Sequence, residues 1–266
     1  MRPSTLLLAA CFASLSVLPA AAADGVLLVQ TVDDGAKTTA ASSQVQMEPT
    51  RIRTEIHDGD GRRQVVIFNG VTEVLHVVDP AARTYMEVTR ADAEKLGGMM
   101  SAAMAAFQQQ MANMSPEQRQ MMEQKMAGML GGAASVARPE YKKVGTGKAL
   151  GHACDQYEGY MAGRKTSEIC TVAPETLGFS LADFAVLGKL SDFVRRILPQ
   201  LGDQIVGAGS PELGYAGIPV RTATTDPRSG RTVTMQVTEA RRATFDDAIF
   251  AVPADYKQTV MPTMGR

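Results

Sequence analysis

The chain has 266 residues, 27 basic and 28 acidic side chains, a formal net charge of −1, and no tryptophan. Near-balanced charge, without a basic stripe or a row of aromatic side chains, speaks against a nucleic-acid partner. The length is enough to bury a full core, either as one large β domain or as two smaller units.

The N-terminus reads as an export signal. Arg2 precedes an apolar run from Leu6 to Leu18, and Pro19 with Ala20 to Ala23 closes it on the small residues of an A-x-A cleavage site. The run is too short to span a bilayer, which takes roughly 20 apolar residues, and no other stretch comes close. Residues 1–23 are therefore expected to be removed, giving a periplasmic protein that starts at Asp24. Leu8-Ala9-Ala10-Cys11 also spells a lipobox, which would make the product a lipid-anchored protein. The apolar segment ahead of Cys11 is brief, however, and cleavage after Ala23 discards that cysteine.

From Gly25 the pattern is that of a strand meander. Gly25 to Val32 leads to the turn Asp33-Asp34-Gly35, and Ser43 to Glu48 follows. Arg51 to Ile56 then alternates, with Ile52, Thr54 and Ile56 on one face and Arg51, Arg53 and Glu55 on the other, as in a sheet with one wet side. Asp58-Gly59-Asp60-Gly61 turns the chain. Its resemblance to the opening of a calcium loop stops there, because the later acidic ligands are missing. Gln64 to Phe68, the hairpin dipeptide Asn69-Gly70, Val71 to Val78, the turn Asp79-Pro80 and Thr84 to Val88 complete about six antiparallel strands.

A helical block interrupts the meander at residues 90–131. Thr89 or Asp92 is placed to cap it, and Met100, Met104, Phe107, Met111 and Met114 follow at spacings of four, three, four and three, along one helix face. Ser115-Pro116-Glu117-Gln118 restarts the helix as an N-cap, a first-turn proline and a capping-box glutamine. Met122, Met126 and Met129 continue on the second arm, which Gly131-Gly132 ends, so the pattern predicts a Met-rich helical hairpin. Methionine on such a face fills irregular apolar interfaces, adapts to greasy ligands, or binds soft metals such as Cu(I) through its thioether.

Strands resume at Tyr141 to Thr146. Without the leader, Cys154 and Cys170 are the only cysteines, an even count in an exported chain, which reads as one disulfide. The segment between them alternates around Met161-Ala162-Gly163, and a three-residue loop there would set Cys154 directly opposite Cys170. A further helix starts at Ser180, with Phe184, Leu187, Leu190, Val194 and Ile197 on its apolar face, and stops near Pro199. Ile218 to Thr225, Thr232 to Thr238 and a short strand at Ile249 to Val252 close the domain, which is read as one unit over residues 24–258 with a flexible tail at 259–266.

Arg51-Ile52-Arg53-Thr54-Glu55, Thr84-Tyr85-Met86-Glu87, the Met- and Gln-rich helices, Thr176-Leu177-Gly178-Phe179 and Phe250-Ala251-Val252-Pro253 together resemble a family of exported bacterial proteins known only as a domain of unknown function. The meander with inserted helices and a terminal F-x-V-P also resembles, at the level of fold, the outer-membrane lipoprotein carrier LolA and the envelope sensor RseB. That resemblance implies an α+β fold with a curved antiparallel sheet, a half-barrel, whose hollow accepts an acyl chain or a protein segment. Fold alone carries no function and no binding residue with it. Met114-Ser115-Pro116-Glu117-Gln118 is similar, once only, to the L-T-x-x-Q of Spy-type periplasmic chaperones, and a helix cap accounts for it equally.

No catalytic motif is present. His57, His76 and His152 lie outside any nucleophile or metal pattern, and G-x-S-x-G, H-E-x-x-H and P-loop sequences are absent. The expectation is a non-enzymatic, cofactor-free periplasmic binding module for a hydrophobic ligand, with an acyl chain, a lipoprotein or an unfolded segment as cargo. Met100, Met104, Phe107, Met111, Met122 and Met126 are its expected lining. The alternatives are a Met-rich Cu(I)-binding or stress-chaperone-like protein using the same methionines, and a structural envelope protein without a ligand.

Overall fold

The structure is a computed structural model that describes residues 24–35, 41–112, 115, 118, 140–198, 214–226 and 229–260. The leader, the expected second helical arm with Met122, Met126 and Met129, the stop at Gly131-Gly132 and residues 261–266 of the tail lie outside the described residues.

Six strands run in sequence as an antiparallel meander: β1 (Asp24–Asp33), β2 (Ala41–Glu48), β3 (Arg51–His57), β4 (Arg63–Asn69), β5 (Val74–Asp79) and β6 (Thr84–Val88). Helix α1 (Arg90–Ala112) follows. A second meander then comprises β7 (Glu140–Ala149), β8 (His152–Met161) and β9 (Arg164–Val172), helix α2 (Ala185–Ile197), and β10 (Ile218–Thr225) and β11 (Thr232–Thr244). β11 returns to pair with β1, so the two meanders join into one open sheet of twelve strands. β12 (Lys257–Thr259) closes one edge by pairing with β6, the single parallel contact among the described residues.

Alternation assigns the first meander's two faces. Val26, Met47, Ile52, Phe68, Leu75 and Val88 fall in one cross-strand row, and the first four of them with Val88 are buried. Helix α2 caps this row with Val186 and Phe193, both fully buried, and the Phe193 ring lies 5.3 Å from that of Phe68. Burying one such aromatic contributes roughly 1.5–3 kcal/mol. The opposite face carries a smaller cluster of Val65, Ile67 and Val78, covered by Tyr85 and by Phe250, Val252 and Tyr256 of the C-terminal segment. That outer face is otherwise polar. Glu55 holds Arg63, Arg53 and His57 at 2.6–2.9 Å, and these partners, Arg63 first, lower its carboxyl to about 2.

Several local expectations are corrected. Asn69-Gly70 does not make a two-residue hairpin. The Asn69 side chain accepts from the Val71 and Thr72 amides, Glu73 takes a left-handed φ of 53°, and the strand restarts only at Val74, leaving Val71 73% exposed. The disulfide Cys154–Cys170 is present with a Cα separation of 5.6 Å, but the pairing is diagonal. Met161 pairs directly with Arg164 across a two-residue turn, and an irregularity after Gly159 shifts the register so that Gln156 faces Cys170. The expected strand at Ile249 to Val252 is instead a single 3-10 turn, Asp247–Phe250, capped by the Asp246 side chain. Thr259, expected as the first residue of the tail, belongs to β12.

Candidate functional site

The site begins with how α1 is anchored. Thr89 and Asp92 make the reciprocal cap: the Asp92 carboxylate accepts from the Thr89 amide at 3.0 Å, and the Thr89 hydroxyl accepts from the Asp92 amide at 3.2 Å. Ala93 is fully buried and Leu96 packs on the core. At Gly97 the helix meets the Arg196 carbonyl at the end of α2 so closely that a side-chain methyl has no room. Glu73, on the β4–β5 turn, ties both helices down by accepting from Arg90 of α1 at 3.1 Å and Arg196 of α2 at 3.2 Å. Burial works to raise the Glu73 pKa, but Arg196 and Arg90 outweigh it and hold the carboxyl below its usual range.

Beyond Gly97 the environment changes. Gly98, Met99 and every residue from Ser101 to Ala106 are exposed, with Met99 at 51% and Met104 at 44%. Met100, Phe107 and Met111 are half-buried and belong to neither hydrophobic cluster. The structure thus puts the expected residues Met100, Met104, Phe107 and Met111 on the part of α1 that follows its docked first turns. Ser115 and Gln118 make the reciprocal hydrogen bonds of the expected capping box, each at 3.3 Å. Met122 and Met126 lie outside the described residues.

The sheet offers a second apolar feature that sequence reasoning does not single out. One step along the strands from the row under α2, and on the same face, Thr54, Val66, Val77 and Met86 pair in register. Ile56 adjoins them on β3. Met86 packs on the core, whereas Ile56, Val66 and Val77 are half-buried and join neither cluster. Alternation in Arg51 to Ile56 signals the face, but nothing local to the sequence shows where helical cover ends.

Among the described residues, two further clefts border β7 to β10. One, of about 200 Å³, is bordered by Val144, Gln156, Glu158, Glu168, Cys170 and Arg221. The other borders on Glu140, Lys142 and Tyr160. Lys165 bridges Glu158 at 2.6 Å and Glu168 at 2.7 Å, and this pairing, Glu158 foremost, raises the Lys165 pKa while lowering that of Glu158. None of the expected lining residues borders either cleft. His57 and His76 sit beside Glu55 and Glu87 at 2.9 and 3.0 Å. Among the described residues, no group of three or more His, Cys, Asp or Glu side chains is placed to hold a metal ion. No described helix is long and apolar enough to cross a membrane.

Together these features define a large open sheet, almost wholly antiparallel, with α1 and α2 on one face and apolar surface left at the margin of the core. The chain belongs to the family described as Domain of unknown function (DUF4412), which matches residues 90–256, from the start of α1 to the edge of β12. Comparison with curated proteins gave no match. Among solved structures, the chain is similar to an uncharacterized conserved protein from Thermus thermophilus at 9% identity and a TM-score of 0.45, covering 91% of this chain and 92% of that one. It is also similar to a chain of the Pseudomonas aeruginosa MucA/MucB complex at 8% identity and a TM-score of 0.38, covering 88% of this chain but only 57% of that one. A putative outer membrane lipoprotein-sorting protein domain from Vibrio parahaemolyticus gives 8% identity and a TM-score of 0.31, covering 86% and 89%. Likenesses this distant transfer neither function nor site residues.

Proposed function

We propose that this protein is an exported, non-catalytic binding module that holds an apolar ligand, an acyl chain foremost, on the helix-side face of its sheet. The observation that carries the reading is the mismatch along α1: only its first turns, through Ala93 and Leu96, join the core cluster, while its apolar stripe continues through Met100, Met104, Phe107 and Met111, which join neither cluster. The strip of Ile56, Val66 and Val77 supplies a second half-covered apolar surface on the sheet. Flexible thioethers suit ligands of varied apolar shape, since methionine repacks at little cost. The expected export signal at residues 1–23 supports a periplasmic setting, where acyl chains and unfolded envelope proteins need a carrier.

The test is a titration with a fluorescent C16 fatty acid. Wild-type protein should bind it saturably, and Phe107→Ser and Val66→Thr should each weaken binding several-fold while leaving the far-UV circular dichroism unchanged. Val66→Thr is nearly isosteric, so it changes polarity with little change of shape. Absence of saturable binding, or binding indifferent to both substitutions, contradicts the reading. Copper retained through dialysis and lost on Met100→Leu with Met104→Leu would favour a Cu(I) site on the same helix.

A further inference from the structure

Glu48 is the most costly unexplained side chain among the described residues. It ends β2, its side chain is 4% exposed, and its Oε1 atom is buried without a hydrogen-bond partner. Its Oε2 accepts from Arg51 Nε at 2.5 Å. Arg51 in turn pairs with Asp247 and stacks over Phe250, its guanidinium 4.5 Å from the ring centre. Phe250 packs against Phe245 at 5.9 Å, and the Phe245 ring lies over Gly25, where an added methyl would meet it at 2.5 Å. Arg51 also has Asp247 to neutralise, so one cation faces two carboxylates. A buried carboxylate oxygen left without a donor is destabilising, so a second donor is called for.

The strand register says where that donor arises. Val26 pairs with Met47, and the next step of the antiparallel ladder sets Gly25 opposite Glu48. Asp24, the residue before Gly25, opens β1 and is held by Thr244 of β11. The sequence independently places the export cleavage between Ala23 and Asp24.

We propose that removal of the leader completes this site: the new amino group of Asp24 becomes the second donor to the buried carboxylate of Glu48. Hydrolysis by an export leader peptidase consumes one water, breaks the Ala23 C–N bond, leaves a carboxylate on Ala23 and, after protonation, an ammonium on Asp24. A positive charge thus appears one residue from the position opposite the half-satisfied negative one. Within the uncut chain the same nitrogen is a neutral peptide amide. Cleavage thereby couples maturation to stability, locking β1 to the β2–β3 corner and, through Arg51 and Asp247, to the C-terminal segment over the outer face.

The inference rests on the cleavage position, not on the ligand reading, and mass spectrometry of the exported protein checks that position separately. The test uses four proteins released from a fusion with defined ends: one starting at Asp24, one with a single added alanine, and each again with Glu48→Gln. The Asp24 start should melt higher than the extended form by roughly 3 °C or more, as expected for a charge-assisted hydrogen bond in a chain of this size. With Glu48→Gln that difference should collapse. Equal melting of the two wild-type starts, or a difference that survives Glu48→Gln, overturns the proposal. Should Glu48→Gln fail to fold, NMR of the dimethylated Asp24 amine decides the matter. In the proposed arrangement the amine pairs with Glu48, whose other charged neighbour is Arg51, itself paired with Asp247. A pKa above the ordinary value of about 8 supports the pair, and an ordinary or lower one overturns it.

Discussion

Gly97→Ala isolates the contact that positions the methionine stripe. In a solvent-exposed helix this change is stabilising by about 1 kcal/mol, because alanine loses less backbone entropy than glycine. Here the added methyl would sit more than 1 Å inside the 3.0 Å limit that real Cβ atoms keep, and the obstacle is the Arg196 backbone carbonyl, which cannot swing away as a side chain would. Overpacking of this kind costs about 1–3 kcal/mol, at the upper end when backbone must move. The net expectation is therefore a loss of about 1–2 kcal/mol, or a fall of roughly 2–8 °C in melting temperature for a chain of this size. Gly98, the next residue, is exposed and has nothing within 4 Å of where a Cβ would sit, so Gly98→Ala should raise stability by about 0.5–1 kcal/mol. Thermal unfolding followed by far-UV circular dichroism, with both variants side by side, reads the difference. Fatty-acid titration of Gly97→Ala should also show weaker binding, because α1 is pushed off α2. If Gly97→Ala is as stable as Gly98→Ala, α1 is not docked at this crossing and the argument for a projecting stripe fails.

Two further outcomes follow from the outer face and the disulfide. Glu55 has its folded-state pKa lowered from 4.5 to about 2, so its ion pairs contribute in full above pH 4.5 and are lost as pH falls through 2. Glu55→Gln should accordingly be less stable than wild type at pH 7, with the two denaturation midpoints converging between pH 4.5 and 2; a gap that stays constant over that range would refute the assignment. Replacing both Cys154 and Cys170 by alanine opens a loop with a sequence separation of 16 and should cost about 3 kcal/mol in urea unfolding. A loss below about 1 kcal/mol would mean that residual structure already restricts this loop in the denatured chain.

Strands are legible in the sequence where one face is wet. Arg51 to Ile56 shows its alternation openly, and β3 forms accordingly, with Ile52 buried and Glu55 in a charged network. Caps are legible for the same local reason: Thr89 with Asp92, Ser115 with Gln118 and Ser180 with Asp183 each need only a short spacing, and all three make their hydrogen bonds. The turn at Asn69 departs from expectation because the side chain of Asn69 captures two amides itself, an option that the dipeptide rule ignores. The disulfide register departs because a strand irregularity after Gly159 leaves no mark in composition. On α2 the expected residues Phe184, Leu187, Leu190, Val194 and Ile197 pack on the core, and the buried face also takes in Val186 and Phe193, which the spacing does not single out. For the site, the methionine spacing is visible in the sequence. The close approach at Gly97 is not, because it depends on the Arg196 carbonyl, 99 positions further along the chain.

Native mass spectrometry of the protein purified from its host without detergent reads whether the helix-side face holds an apolar ligand. An adduct of acyl-lipid mass is expected on the wild type, diminished several-fold in Phe107→Ser and in Met104→Asp. Bare protein in every preparation, or an adduct unaffected by both substitutions, would contradict the ligand reading.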